Sequence, residues 1–227
     1  MNPSLTPCPP ARPVAAYLGG KKLLARRLIE RIGAEPHEAY VEPFVGMGGV
    51  FQRRPFRAKA EVINDLSADV ATLFRVLQRH YEALMDMLRW QLTSRAEFER
   101  LLAQEPDSLT DLERAARFLY LQRVAFGGKV AGRSFGVSVG LPGRFDVGKL
   151  GPLLEAVHER LAGVVIERLP WERLLARYDR PGTLFYLDPP YWGCEADYGQ
   201  GMFAPDDFVR LAGILAGLKG RFILSIN

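Results

Sequence analysis

The tetrapeptide Asp188-Pro189-Pro190-Tyr191 is the feature of the sequence with the clearest chemical meaning, and it follows the hydrophobic run TLFYL. Two consecutive prolines fix the backbone and remove two N–H donors, so an acid, a free carbonyl and an aromatic ring share one rigid turn. A flat substrate that carries an NH2 group suits this turn. Tyr191 can stack on its plane, while Asp188 and the Pro189 carbonyl accept both amine hydrogens. The alternative is a structural proline turn with an acid and a packed tyrosine.

A glycine-rich segment, VEPFVGMGG at residues 41–49, follows another predicted strand. Glycines allow the backbone to approach a ligand closely. Asp65 ends the next predicted strand, 19 residues (65 − 46) after Gly46, and a carboxylate at about 20 residues from a glycine turn can bind ribose hydroxyls. The spacing is not the GxGxxG pattern of dinucleotide sites. A structural turn and a helix-capping acid are the alternatives to a ligand site.

The segment from residue 114 to residue 149 is basic. It holds seven bases and one acid, a net charge of 7 − 1 = +6, against +4 for the whole chain. Such a cluster attracts a phosphate backbone, and a solvated basic face is the alternative. The bases are Arg114, Arg117, Arg123, Lys129, Arg133, Arg144 and Lys149.

Composition excludes some classes of protein. The 227 residues, 48% of them hydrophobic, suit one large domain or a core with an insert. No apolar run is long enough to span a bilayer. Because the chain has only two cysteines, Cys8 and Cys194, we expect no disulfide and a cytoplasmic location. The Pro-rich residues 1–14 lack the apolar core of an export signal, and we expect them to be a disordered lead. The three histidines are scattered, and no metal site is predicted.

Hydrophobic periodicity predicts an α/β fold. Leu24, Leu28 and Ile32 indicate a helix that begins after Gly20 and ends at Gly33. Strands are predicted at AYVEPF, AEVIND, VVIERL, TLFYLD and RFILSIN, with helices between most of them. This alternation predicts a doubly wound parallel sheet with helices on both faces. Ligands bind at the carboxyl ends of strands in such sheets, where the glycine-rich segment and the proline turn both stand.

The middle of the chain differs in character. Capping boxes that begin at Ser94 and Thr110 open two helices, and the glycine-rich stretch FGGKVAGRSFGVSVGLPGRF predicts a hairpin or extended loop. We therefore predict a catalytic domain made of residues 15–75 and 150–227, with residues 76–149 inserted as a target-recognition region.

Four segments, in this order, resemble the Dam-like family of adenine-specific DNA methyltransferases. They are Tyr17-Leu18-Gly19-Gly20-Lys21, the glycine-rich segment extended to Phe51, Asn64-Asp65 and Asp188-Pro189-Pro190-Tyr191. The resemblance covers nearly the whole chain from about Ala15. It implies a Rossmann-like methyltransferase sheet with an inserted helical and β-hairpin DNA-recognition region, and S-adenosylmethionine as the cofactor.

The resemblance also implies roles for individual residues. Cofactor contacts are expected from Tyr17, Gly19, Gly20, Lys21, Glu42, Pro43, Phe44, Gly46, Gly48, Gly49, Asp65 and Asp188. Catalysis is expected from Asp188, Pro189, Pro190 and Tyr191, with Asp188 between the cofactor and the target base. From the basic segment, we expect DNA contacts from Arg123, Lys129, Arg133 and Arg144.

Two segments depart from the family pattern. Well-known members have Tyr-Asn-Gly followed closely by Arg, whereas this chain has Phe126-Gly127-Gly128-Lys129. The family's base-reading side chains and its GATC target are therefore not assigned to this chain. Ser225-Ile226-Asn227 resembles a late family motif after which relatives usually continue with more sheet, so we expect a shortened or minimal sheet.

The predicted function is site-specific transfer of a methyl group from S-adenosylmethionine to the exocyclic amine of an adenine flipped out of double-stranded DNA. A monomeric prokaryotic or phage enzyme is expected, in restriction-modification, phage self-protection or housekeeping methylation. Alternatives are an RNA adenine methyltransferase, a cytosine-amine or glutamine-amide methyltransferase, and a catalytically retired DNA-binding module. At the position of the Asp188 tetrapeptide, cytosine-amine enzymes more often have Ser-Pro-Pro-Tyr, and glutamine-amide enzymes more often have Asn-Pro-Pro-Tyr. A nicotinamide-dependent oxidoreductase on a similar sheet is a further alternative, but the sequence lacks the spaced glycine fingerprint of that class.

Overall fold

A computed structural model of the chain describes residues 4–136, 140, 143–192 and 203–226. Its strands are β1 Thr6–Pro7, β2 Ala39–Glu42, β3 Phe56–Arg57, β4 Ala60–Asn64, β5 Val165–Glu167, β6 Thr183–Leu187 and β7 Arg221–Leu224. Five of them form a sheet in the order β5-β4-β2-β6-β7, and all neighbours pair in parallel. Numbered along the chain, these strands follow the order 3-2-1-4-5 of a doubly wound sheet. The order reverses between β2 and β6. The parallel pairing and this strand order confirm the predicted α/β fold.

The helices are α1 Ala25–Ala34, α2 Ala68–Arg79, α3 Tyr81–Arg89, α4 Arg95–Ala103, α5 Asp111–Val124, α6 Val147–Arg160, α7 Trp171–Tyr178 and α8 Pro205–Ala216. The Ser67 hydroxyl accepts from Val70 N at the start of α2, and Thr110 and Glu113 form the expected capping box of α5. The boundaries predicted for α1 were wrong. Residues 22–24 form a turn, and the helix continues through Gly33.

Both faces of the sheet are covered. Tyr40, Ile63 and Leu184 point into the larger core, which also contains side chains of α2, α3, α5 and α6. Val41 and Phe185, one residue further along their strands, point into a second core with side chains of α7 and α8. This alternation follows the two-residue period of a strand. Because every residue of β6 is buried, the strand reads as a continuous hydrophobic run.

The expectation that residues 1–14 form a disordered lead was wrong for the described residues from Ser4 onward. β1 pairs with β3 in an antiparallel two-stranded sheet. Ala11 N donates to Gln52 O at 2.8 Å, and Ala11 and Val14 are buried. The prolines remove several N–H donors, but the N–H groups of Cys8 and Ala11 remain and donate to the carbonyls of Pro55 and Gln52, while the apolar side chains of Ala11 and Val14 are buried.

The region between α2 and α6 packs on the sheet domain and shares its larger core. The predicted hairpin is described only in part. The chain after α5 forms a 3₁₀ turn, Phe126–Gly128, and Ala125 forms one antiparallel bridge with Phe135. Residues 137–139 and 141–142 lie outside the described residues. No helix in the described ranges is long and apolar enough to cross a membrane, and those ranges hold no group of three or more His, Cys, Asp or Glu side chains placed for a metal ion.

Candidate active site

The glycine bend, which lies within the glycine-rich residues 41–49, and the proline turn at residues 188–191 both contribute to the lining of one cavity, which has a volume of about 260 Å³. Gly46 follows β2 and Asp188 follows β6, and these strands are parallel neighbours. Asp65 follows β4, on the other side of β2, and also lines the cavity. The cavity therefore lies at the carboxyl edge of the sheet where the strand order reverses, the position at which doubly wound sheets bind ligands.

Most of the residues expected at the site line this cavity. They are Tyr17, Gly19, Gly20, Lys21, Glu42, Pro43, Phe44, Gly46, Gly49, Asp65, Asp188 and Pro190. The described lining does not include Gly48, Pro189 or Tyr191. A Cβ atom on Gly48, whose φ is +70°, would lie 2.8 Å from Gln52 Cγ. Gly48 therefore allows the bend to close against Gln52.

The glycine bend, Asp65 and Tyr17 are fixed against one another. Gly46 N donates to Asp65 Oδ2 at 2.9 Å, and Ser67 N donates to Asp65 Oδ1 at 2.9 Å. Burial raises the pKa of Asp65 to about 6, although both N–H donors lower it. Gly46 has a φ of +49°, and a Cβ atom there would lie 2.9 Å from Tyr17 Cδ1. Only glycine permits this backbone conformation and this contact together.

The Asp188 carboxylate faces the ammonium group of Lys21, whose Nζ lies 2.7 Å from Asp188 Oδ1. Lys21 Nζ also donates to Gly19 O at 2.8 Å and lies 4.5 Å from the centroid of the Tyr191 ring. Burial raises the pKa of Asp188 to about 6, against the opposing effect of Lys21. Above that pH, the turn presents a charged acid with a cation beside it.

A third acid, Glu42, is supported by a buried polar network. Tyr40 Oη donates to Glu42 Oε2 at 2.9 Å, and the Arg54 guanidinium lies 3.6 Å from the centroid of the Tyr40 ring. Arg54 Nη2 and Arg160 Nη1 each lie 2.6 Å from an oxygen of Glu61. Burial is the main cause that raises the pKa of Glu42 to about 8. Glu42 is therefore mostly protonated at neutral pH.

Several lining residues were not predicted from the sequence, among them Arg53, Trp171 and Tyr186. Trp171 begins α7 shortly after β5, so the rule that strand ends meet at one edge was the signal that could have identified it. Tyr186 lies within β6, and only the fold brings it to the cavity. Arg53 follows the glycine bend, but its spacing matches no motif.

A second cleft of about 880 Å³ adjoins the first cavity, because Ala16 lines both. Among the described residues of its lining, the bases are Arg95, Arg123, Arg144 and Lys149, and the acid is Asp146. Two of the four bases expected to contact DNA, Arg123 and Arg144, thus face this cleft, together with Arg95, which lies outside the basic segment.

The other bases of this segment differ in environment. Arg114 pairs with two aspartates, and Arg117 is buried and donates to carbonyls at the end of α4. Arg133 Nη2 donates to Gln122 Oε1 at 3.1 Å. Lys129 is exposed. Lys129 and Arg133 lie outside the described lining of the cleft. The excess positive charge is therefore only partly available to solvent.

Helix α5 connects the two cavities. Gln122 Nε2 donates to Ala16 O at 2.8 Å and to Gly128 O at 2.6 Å. Arg123 Nη1 donates to Val14 O at 3.1 Å. These bonds fix the segment that leads into Tyr17. The basic cleft and the strand-edge cavity therefore have a common wall.

Replacing Glu42 with Gln should change how stability depends on pH. Glu42 keeps its proton up to about pH 8 when folded, against 4.5 as its ordinary pKa. The folded state binds more protons between these values, so this group's contribution to the free energy of unfolding falls as pH rises through the window. The free energy of unfolding of Glu42→Gln, relative to wild type, should rise by up to about 1.4 kcal/mol per pH unit. Urea denaturation of both proteins at intervals from about pH 5 to about pH 7.5 measures this.

Glu99→Gln, at an exposed glutamate of α4, is the matched control and should track the wild type at every pH. A constant difference between Glu42→Gln and the wild type across the window would contradict the protonation state given to Glu42.

Comparison with known proteins gives a family match over most of the chain. Residues 17–227 match the model of the D12 class N6 adenine-specific DNA methyltransferases. The chain is 22% identical to the type II methyltransferase M.CviBI of Paramecium bursaria Chlorella virus NC1A, over 95% of this chain and 83% of that protein. It is 28% identical to the type II methyltransferase M1.LlaDCHI of Lactococcus lactis subsp. cremoris, over 95% and 81%. A DNA adenine methylase of Salmonella typhi is 28% identical over 68% of this chain and 56% of its own length.

The family match begins at Tyr17, the first residue of the predicted cofactor motif, and continues through the proline turn. It thus includes the motifs that the fold brings to one cavity. The chain belongs to the D12 class N6 adenine-specific DNA methyltransferase family.

Proposed function

We propose that the chain transfers a methyl group from S-adenosylmethionine to N6 of an adenine in double-stranded DNA, with the strand-edge cavity as the active site. The observation that carries the proposal is the shared cavity of the glycine bend and the Asp188 turn. A methyl donor and an amine acceptor must meet at contact distance, and this cavity offers a place for each.

The cavity has the features that a nucleoside cofactor requires. Asp65 is fixed by two N–H donors and keeps free lone pairs that can accept ribose hydroxyls. Trp171 and Leu169 offer apolar surface next to it. The glycine bend allows the backbone to approach closely under the Tyr17 ring. When bound, the cofactor supplies a methyl group made electrophilic by a sulfonium.

The Asp188 turn is the proposed receptor for the target amine. The lone pair of the adenine amine is delocalised into the ring, so the amine is a weak nucleophile. Hydrogen bonds from the amine to Asp188 and to the Pro189 carbonyl favour a pyramidal nitrogen whose lone pair can attack the methyl carbon. Transfer would form one N–C bond and break the S–C bond of the bound donor. The amine proton then passes to Asp188, whose raised pKa makes it a better base than an exposed aspartate.

Tyr191 and Lys21 complete the proposed receptor. The Lys21 ammonium lies over the Tyr191 ring, which leaves the opposite face of the ring for a flipped base. Base–aromatic stacking contributes about 1–3 kcal/mol per base. Lys21 also keeps Asp188 ionised at neutral pH against the effect of burial.

The basic cleft is the proposed contact for the DNA backbone. It shares Ala16 with the catalytic cavity, so a duplex seated there would pass the entrance through which an adenine must flip. Phosphate contacts from Arg and Lys dominate affinity for DNA and make it depend on salt. We propose residues 76–149 as the region of target recognition.

Asp188→Asn should lower methyl transfer to DNA by roughly 10²- to 10⁴-fold, because the amide cannot accept the amine proton. Incorporation of tritiated methyl groups measures the rate, and mass spectrometry of the nucleosides identifies N6-methyladenine. Asp206→Asn, at an exposed aspartate of α8, should behave like the wild type. Turnover of Asp188→Asn near that of the wild type would remove Asp188 from the mechanism, and methylation of RNA or protein in place of DNA would overturn the substrate.

Gly46→Ala should weaken binding of S-adenosylhomocysteine, the demethylated product of the cofactor, because the new methyl group displaces Tyr17 from the bend. Gly163→Ala is the matched control. Gly163 has a φ of +76°, and a Cβ atom there meets no described atom within 4 Å. Both variants carry backbone strain of about 1 kcal/mol, and Gly46→Ala adds the close contact with Tyr17. Thermal unfolding should therefore shift in both and further in Gly46→Ala, while calorimetric affinity for the folded protein falls only in Gly46→Ala. Equal affinities in the two variants would contradict the cofactor site.

The double variant Arg95→Ala/Lys149→Ala should weaken DNA binding and reduce the slope of log K against log salt by about 1.8, at about 0.9 per phosphate contact. Arg79→Ala/Lys219→Ala removes the same charge from two exposed positions outside the described cleft lining. Fluorescence anisotropy at several salt concentrations compares the two. An equal change in slope in both variants would indicate a general charge effect and not a phosphate site in the cleft.

A further inference from the structure

We propose that Arg53 binds the α-carboxylate of the methionine part of S-adenosylmethionine, an assignment that rests on the proposed function of the cavity. Arg53 is half-buried in the cavity wall and lies outside the motifs that suggested the other cofactor contacts. It deepens the proposed site by naming the group that recognises the amino-acid end of the cofactor.

The position of the Arg53 guanidinium is fixed by the glycine bend. Its Nη1 donates to Gly49 O, and a Cβ atom on Gly49 would lie 3.8 Å from Arg53 Nη1 and 3.4 Å from Lys21 N. The absent side chain thus leaves a gap between the guanidinium and the backbone of the Tyr17–Lys21 motif. A guanidinium has five N–H donors in a planar fork that matches a carboxylate. No described acid lies within ion-pair distance of Arg53.

The other two cations in the described lining of the cavity, Lys21 and Lys22, are less suited to this role. Lys21 is occupied by Asp188 and by the Gly19 carbonyl. Lys22 lines the cavity but is exposed, and its long stem must be ordered before it can hold a ligand. Arg53 combines a fixed position with partial burial, and charge pairs are screened less when buried.

The N-terminal segment adds to the positive charge at this corner. Cys8 N and Ala11 N donate to the carbonyls of Pro55 and Gln52, which places the next residues beside Arg53. Burial, and then the charge of Arg12, lower the pKa of Arg53, but a guanidinium remains charged at any physiological pH. Two cations close enough to act on one another attract an anion.

The acids of the cavity determine where a carboxylate of the ligand is disfavoured. Glu42, Asp65 and Asp188 follow or end neighbouring strands. Asp65 and Asp188, whose pKa values are about 6, are mainly ionised at neutral pH, so they attract a sulfonium, accept hydrogen bonds from ribose hydroxyls and repel a carboxylate. The cofactor carries all three kinds of group, so its carboxylate should turn away from the strand ends. Arg53 offers a cation held at Gly49, beyond the strand ends in the same cavity lining.

Calorimetric titration with two ligands tests this assignment. S-adenosylhomocysteine carries the carboxylate, and its decarboxylated analogue S-adenosyl-3-thiopropylamine retains everything else. Arg53→Gln should weaken binding of S-adenosylhomocysteine by roughly 10- to 100-fold, the range for a lost hydrogen bond to a charged group. Its affinity for the analogue should equal that of the wild type. Arg53→Lys, which keeps the stem and the charge, should recover part of the lost affinity. Lys22→Gln should bind both ligands as the wild type does.

The assignment would be overturned if Arg53→Gln weakened the binding of both ligands equally or left the binding of S-adenosylhomocysteine unchanged. A carboxylate-selective loss of affinity in Lys22→Gln instead would also overturn it. Binding of S-adenosylhomocysteine by the wild type, together with equal binding by Arg53→Gln, overturns this inference alone. A wild-type chain that fails to bind S-adenosylhomocysteine overturns both the inference and the proposed function.

Discussion

Parallel pairing of β4, β2 and β6 is the constraint on which the rest of the structure depends. Glu42 lies opposite Ile63, and Val41 lies opposite Phe185, so the three strands end at one edge of the sheet. The chain after each strand therefore begins at the same place, although these segments are far apart in sequence. The glycine bend, Asp65 and Asp188 meet there because the strands that precede them are hydrogen-bonded neighbours.

This convergence brings three acids into a partly dehydrated space, and the rest of the molecule must offset the cost. Burial raises the pKa of Glu42, Asp65 and Asp188, so charging them lowers the stability of the folded state. Two hydrophobic cores, one on each face of the sheet, hold the strands in register against this cost. Active sites commonly carry unfavourable charge placement that the surrounding fold must support.

Much of this arrangement could be predicted from local sequence. The hydrophobic runs, the Ser67 and Thr110 caps and the 19-residue step from Gly46 to Asp65 each have a physical cause within a short segment. The predictions that failed concerned residues whose structure depends on partners far away in the sequence. The N-terminal segment has a composition typical of a loop, and its order comes from residues 52–57. A charge count could not separate Arg117, which binds the carbonyls at the end of α4, from bases that face a cleft.

The central claim, that the glycine bend and the Asp188 turn act on two halves of one reaction, is tested most directly by a crystal structure with S-adenosylhomocysteine. The account predicts that the ribose hydroxyls lie on Asp65. The sulfur should face the Asp188 turn across a gap for one methyl group and one amine, so that the reacting atoms can approach to about 3–3.5 Å. A ligand bound outside this cavity, or one whose sulfur points away from Asp188, would contradict the account.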